Sequence, residues 1–268
     1  MLKRVLAALG LALLGIPAII LGGIYFFLLV SALLALAAWE FAHIFQRAGY
    51  KGNAYLIIGG TLLIVLSRAF LPNLAPTILT FSVLAAMTWH MIDYERGRDQ
   101  AGADFAITTT GLLYIGWIGA YLIDLRSLEN GMWWFFLVLG SVWMADSSAY
   151  FVGIRFGKHR LSPRLSPKKS WEGYWGGVIA GTLGSAFLAV LFAALRGPLL
   201  PWWKAAALGA TLSILTTLGD LGESMLKRQA GLKDSGKFLP GHGGALDRID
   251  SWLWGGALGY AFLLWFIL

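Results

Sequence analysis

No charged residue occurs between Arg4 and Glu40, and the chain stays largely apolar to Phe45. A helix crosses the hydrocarbon of a bilayer with about 20 apolar residues. This one stretch is therefore long enough for two crossings, hinged near Gly22 and Gly23. A soluble core of 268 residues could not hide such surface: 58% of the chain is hydrophobic and 13% charged, where soluble domains carry about 25% charged residues. Further apolar segments follow at Ala54–Phe70, Ala75–Ile92, Phe105–Ile123, Met132–Val152, Gly173–Leu195, Lys204–Met225 and Ile249–Leu268. The expected fold is an all-α, polytopic integral membrane protein with about nine transmembrane helices. Lys3 and Arg4 ahead of the first run would suit a cleaved leader. No small-x-small site follows, however, and the apolar run does not stop, so the segment is read as a retained span. The absence of Cys removes disulfides, iron–sulfur clusters, Cys-ligated zinc and thiol nucleophiles together.

Nine crossings fix the side of every loop, and the cations test that arrangement. Of the 21 Lys and Arg, only Arg68, Arg126, Arg196 and Lys204 fall on one side. Cytoplasmic loops collect Lys and Arg, so the N-terminus and the two long basic loops, 153–172 and 226–248, are expected in the cytoplasm. The C-terminus is then expected outside, in a multi-pass protein of the cell (inner) membrane. The chain divides by chemistry: 1–135 is a set of about five N-terminal membrane helices, and 136–268 is the catalytic region with both loops. A net charge of +7 without a compact basic domain points to anionic headgroups or phosphorylated substrates, and not to nucleic acid.

Several polar residues stand where lipid would penalise them. Asp220, Glu223, Ser224 and Lys227 are spaced i, i+3, i+4, i+7, which places them on one helical face. Such a face lines a wet cavity, meets a partner, or has left the membrane. Asp146 and Tyr150 form an i, i+4 pair within an apolar helix. Glu40 with His43, and His90 with Asp93, fit simple interfacial residues.

The two loops carry the chemistry. Gly153–Lys158 is one residue too short for a P-loop, and His159 stands where Ser or Thr belongs. Ser166-Pro-Lys168-Lys169-Ser170-Trp-Glu172-Gly173 offers two lysines and two hydroxyls ahead of a helix N-terminus. That suits a polyanion or a positive-inside anchor, and charge alone does not separate the two. The second loop is more specific. Pro240-Gly-His242-Gly243-Gly244 allows a backbone path with exposed N–H groups. Around it Asp220, Glu223, Asp234, Asp247 and Asp250 alternate with Lys227, Arg228, Lys233, Lys237 and Arg248. Carboxylates beside cations suit a polyphosphate bound with Mg²⁺, which takes one or two carboxylates plus phosphate oxygens.

At these residues the sequence resembles the phosphatidate cytidylyltransferase (CDP-diacylglycerol synthase) family. The resemblance lies in Ser224-x-x-Lys227-Arg228, Lys233-Asp234, Pro240-Gly-His242-Gly-Gly and Asp247-Arg248-x-Asp250, with Asp146-Ser-Ser-Ala-Tyr150 and the 166–173 segment upstream. It covers about the C-terminal half; Ser170 stands where Thr is usual, and Ala245 where a larger aliphatic is common. The resemblance implies transfer of a cytidylyl group from CTP to phosphatidate, releasing pyrophosphate. It further implies Asp220 and Asp247 as ligands of Mg²⁺, with Asp250 and Glu223 in support, and leaves open a second, monovalent cation. Lys227, Arg228, Lys233 and Arg248 would hold the triphosphate, with Asp234 beside them and His242 on a phosphate oxygen. Ser166, Lys168, Lys169, Ser170, Glu172, Ser224, Gly243 and Gly244 would contact substrate, with Asp146 and Tyr150 lining the cavity. The expected partners are CTP, phosphatidate and membrane lipids, and the family suggests a homodimer. Two other readings use the same residues: a CTP-dependent enzyme acting on another lipid phosphate, and an ion-coupled transporter. Gly176-Gly177 and Gly255-Gly256, as breaks in helices, would favour the transporter.

Overall fold

The computed structural model describes residues 13–236 and 243–268. It is helical almost throughout. Residues 13–21 are helical, and the chain turns at Gly22 (φ 65°) and Gly23 (φ 50°) into α1, Gly23–Arg47. The hinge thus falls where the sequence placed it. Then follow α2 (Ala54–Phe70), α3 (Ala75–Glu95), α4 (Ala101–Gly111), a widened π turn (Leu112–Trp117) and α5 (Tyr121–Ser127). The remaining elements are α6 (Gly131–Phe156), strands β1 (Arg160–Ser162) and β2 (Ser166–Ser170), α7 (Trp171–Ala194), α8 (Trp202–Gln229) and α9 (Leu246–Phe266). Among the described residues six helical stretches are long and apolar enough to cross a membrane, and Ala54–Phe70 is a shorter apolar helix. The chain is a multi-pass, all-α membrane protein.

Two features differ from expectation. The basic segment 153–172 is not an open loop. Helix α6 runs on to Phe156, and β1 and β2 pair antiparallel, Arg160 opposite Ser170 and Ser162 opposite Ser166, with an irregularity between. Its basic composition and its prolines at 163 and 167 hide the strand pattern, because Pro is tolerated only at edges and turns of a sheet. The second loop is also shorter than drawn, since α8 continues to Gln229 and α9 begins at Leu246.

The residues fall into two compact units. One comprises Met1–Asp124 and Leu226–Ile249, and the other Leu125–Met225 and Asp250–Leu268. In the first unit a polar staple joins the α1–α2 and α3–α4 turns. Asp104 accepts the Lys51 N–H (2.7 Å) and pairs with Arg98 (2.7 Å), while Thr108 accepts the Asn53 N–H (2.9 Å). Thr108 donates its one proton to the Asp104 carbonyl at 2.9 Å, so at its 2.9 Å contact with His90 Nε2 it is the acceptor. His90 is buried, not interfacial. Arg68 and Asp124 lie 3.0 Å apart, and the guanidinium covers Trp117 at 4.4 Å and Tyr121 at 4.6 Å.

In the second unit α6 and α7 pack backbone to backbone. A Cβ on Gly177 would stand 2.8 Å from the Ala145 carbonyl oxygen, and one on Gly173 would stand 2.6 Å from that of Ala149. Small residues spaced by four are the usual device for such contact in membranes. Gly176-Gly177 and Gly255-Gly256 therefore sit inside unbroken helices, which removes the helix breaks that favoured a transporter. Gly177→Leu should cost about 1–3 kcal/mol or more through overpacking, read as a lower melting temperature in detergent. Gly102→Ala, where nothing lies within 4 Å, should leave melting unchanged or raise it slightly.

Candidate active site

Each unit holds one cluster of the residues singled out above. In the first unit the C-terminal end of α8, the segment 232–236 and the start of α9 converge on Asp247. Lys227 donates to Asp247 Oδ1 at 2.5 Å. Oδ2 of the same carboxylate accepts the Ser235 N–H (2.9 Å) and the Gly244 N–H (2.7 Å), and the Ser235 hydroxyl lies 2.9 Å away. Lys227 is 8% exposed, so this pair is largely withdrawn from solvent. Glu40, from α1, enters the same cluster. It accepts from the backbone N–H groups of Ala245 (3.0 Å) and Leu246 (2.8 Å) and lies 2.8 Å from the Ser235 hydroxyl. With one proton, that hydroxyl donates to Glu40 or to Asp247 at any moment.

The Gly244 N–H of the glycine turn, and the Ala245 and Leu246 N–H groups after it, are thus turned to carboxylates of the chain itself. Gly244 admits no side chain, because a Cβ would lie 2.2 Å from both Glu40 and Ser235. Arg228 closes the end of α8 by donating to the Leu232 carbonyl at 2.9 Å. Lys233, Asp234 and Arg248 are exposed, and Gly243 is half-buried. His242 lies outside the described residues, as do Lys237 and Pro240.

In the second unit Asp220 pairs with Lys169, Nζ to Oδ2 2.6 Å, and lies 3.5 Å from the Ser224 hydroxyl. Gly219 lets α8 approach α9 at Asp250: a Cβ there would be 2.8 Å from the Asp250 carbonyl oxygen. Asp250 is 9% exposed, and the charges of Asp220, Asp146 and Lys169 all reach it. Asp146 is exposed, and the charges of Lys169 and Asp220 act on it as well. Three acids thus share this neighbourhood with Lys169. The face predicted along α8 is not a solvated one: Asp220 and Lys227 are paired, and Glu223 and Ser224 are buried.

The hairpin sorts its residues into two kinds. Neighbours on a strand point to opposite faces, so Lys169 reaches Asp220 while Lys168 is exposed. Ser166 is half-buried, and Tyr150 is exposed with its ring edge-on to Phe151 at 5.5 Å. Ser170 caps α7, accepting the Gly173 N–H at 3.2 Å. Glu172 accepts the Lys158 (3.1 Å) and His159 (3.2 Å) N–H groups and contacts His159 Nδ1 at 2.6 Å. Ser170 and Glu172 therefore shape the hairpin that aims Lys169. Lys169→Ala should raise the KM for one phosphorylated substrate at least severalfold, and Lys168→Ala less. Equal effects in steady-state kinetics would return both lysines to the role of surface anchors.

The second cluster has the chemistry of a hard cation site. Its donors are carboxylate oxygens, from three carboxyl groups beside a single lysine. Among the described residues no three His, Cys, Asp or Glu side chains are gathered as a ready-made metal cage. Mg²⁺ does not need one, since it takes one or two carboxylates and fills its shell with water and phosphate. The residues present fit that ion.

A family model described as the cytidylyltransferase family matches residues 2–266. The chain belongs to this family. Among its relatives, the phosphatidate cytidylyltransferase of Pseudomonas aeruginosa is 39% identical over 258 residues, covering 92% of this chain and 90% of the relative. That of Synechocystis is 31% identical over 295 residues (98% and 96%), and that of Thermotoga maritima 34% over 237 residues (87% and 85%). The match spans both units, including the N-terminal helices that the motifs alone did not reach. Cytidylyl transfer brings a triphosphate and a second anion together, and lysines and carboxylates are the kinds of group such a reaction uses. Sequence reasoning undervalued Glu40: an acid about two turns from the end of an apolar helix looks interfacial until the residues that surround it are known.

Proposed function

We infer that the chain transfers the cytidylyl group of CTP to phosphatidate, giving CDP-diacylglycerol and pyrophosphate. The observation that carries this reading is the 39% identity to a phosphatidate cytidylyltransferase over 92% of the chain, together with the arrangement around Asp247. The phosphate of phosphatidate is already an anion near neutral pH, so its oxygen needs no strong base to attack the α-phosphorus of CTP. The barrier is the approach of one anion to another, and charge neutralisation with alignment is the work required. Lys227, held by Asp247, and the exposed Arg228, Lys233 and Arg248 are the cations for the triphosphate and the departing pyrophosphate. Lys169 is the cation aimed by the hairpin, and Asp146 and Tyr150 are accessible residues for the remaining substrate contacts.

Mg²⁺, when bound, would neutralise triphosphate charge. Asp220 would hold it, with Asp250 and Asp146 supplying negative charge nearby. Asp247, the other ligand that the resemblance implies, belongs to the first unit, where Lys227 holds one of its oxygens. We further propose nine crossings in the inner membrane with both basic segments in the cytoplasm, where CTP is found, and assembly as a homodimer. Purified protein given labelled CTP and Mg²⁺ should form CDP-diacylglycerol from phosphatidate, and far less product from an isoprenoid phosphate. Preference for the isoprenoid would move the substrate to another lipid phosphate. No turnover of CTP with either would remove the enzymatic reading.

A further inference from the structure

Glu40 is 1% exposed and lies 195 positions before Ser235, yet both of its oxygens are turned to the segment 235–246. Its partners Ala245 and Leu246 stand at the N-terminal end of α9, where backbone N–H groups lack intrahelical acceptors and a negative charge is favoured. Glu40 thus caps α9 from another helix. Gly236 and Gly244 lie close against it, since a Cβ on either would come within 2.2 Å of its carboxylate. What it holds is not core. The first turn of α9 carries Asp247 and Arg248, with Asp250 one turn further along, and Ser235 touches both Glu40 and Asp247.

The geometry points to Glu40 as a positioning residue for cytidylyl transfer: it fixes the start of α9 and Ser235 so that Asp247 meets Lys227. The kinetic part of this inference rests on the phosphatidate cytidylyltransferase reading; the structural part does not. An amide cannot replace the carboxylate. Oε1 faces the Ala245 N–H and Oε2 the Leu246 N–H, so either orientation of Gln sets an N–H against an N–H. The first turn of α9 would then move, and a displacement of about 1 Å among reacting groups costs about 10²-fold in rate.

Glu40→Gln should lower kcat by about 10²-fold. Hydrogen exchange should show lost protection at Ala245 and Leu246, with α6 and α7 protected as in the wild type. Ser235→Ala, which buries no unpaired charge, should show a smaller kcat loss and partial loss of the same protection. Combined with Glu40→Gln it should add little, because both act through one segment. A kcat within threefold of wild type, or a fallen kcat with Ala245 and Leu246 still protected, would overturn the inference. Should Glu40→Gln not fold, Ser235→Ala decides on the same two readouts. A wild-type protein that fails to turn over CTP with phosphatidate sinks the functional reading, and the exchange data still decide the positioning.

Discussion

Asp247→Asn should reduce CDP-diacylglycerol formation by at least about 10²–10³-fold, the scale on which loss of a preorganised electrostatic group is felt. The carboxylate spends both oxygens, one on Lys227 and the other on the N–H groups of Ser235 and Gly244. An amide has one oxygen. If its nitrogen takes the Oδ2 place it meets two N–H donors, and if it takes the Oδ1 place it meets an ammonium. Lys227 loses its carboxylate partner in either case, and removing one partner of a buried pair costs about 3–5 kcal/mol. Stability and chemistry are separated by the double variant Lys227→Met with Asp247→Asn. It removes the cation that faced the lost carboxylate, so thermal stability in detergent should recover, while turnover should not. Near-normal turnover of Asp247→Asn would remove this carboxylate from the site.

The face of α8 illustrates what a linear reading can reach. The spacing of Asp220, Glu223, Ser224 and Lys227 follows from helical periodicity alone, and the prediction that a lipid-averse face must find partners holds at Lys169 for Asp220 and at Asp247 for Lys227. The break at Gly22–Gly23 and most helix positions were likewise legible, because an apolar run of sufficient length admits few alternatives. Ser170 and Glu172 were visible as polar residues at a helix start, but not as the groups that close a hairpin. Two strands of three and five residues containing Pro and Lys carry no alternating apolar pattern to reveal them. Glu40 is the deepest miss. Nothing local distinguishes a carboxylate that caps a helix 206 residues away from one that rests at an interface. The same holds for His90, whose burial depends on Thr108 and Asn53 arriving from two other segments.

Asp220→Asn should lower turnover at fixed Mg²⁺ by about 10²-fold and move the midpoint of a Mg²⁺ titration upward. Asp220, Asp146 and Asp250 share their neighbourhood with Lys169, and a hard divalent cation is the species that such an excess of carboxylate favours. Substitution of Asp220 leaves Lys169 to turn toward Asp146 and Asp250, which occupies the acids that remain. A purely structural Asp220 would matter only as the partner of Lys169, so removing both charges together would restore activity at saturating substrate, where the raised KM of a Lys169 variant is not felt. If Asp220 carries the metal, Lys169→Met combined with Asp220→Asn regains stability and stays inactive at ordinary Mg²⁺. Recovery of turnover in that double variant, with an unmoved Mg²⁺ midpoint, would make the Lys169–Asp220 contact a fastener of the hairpin and shift the metal to other carboxylates.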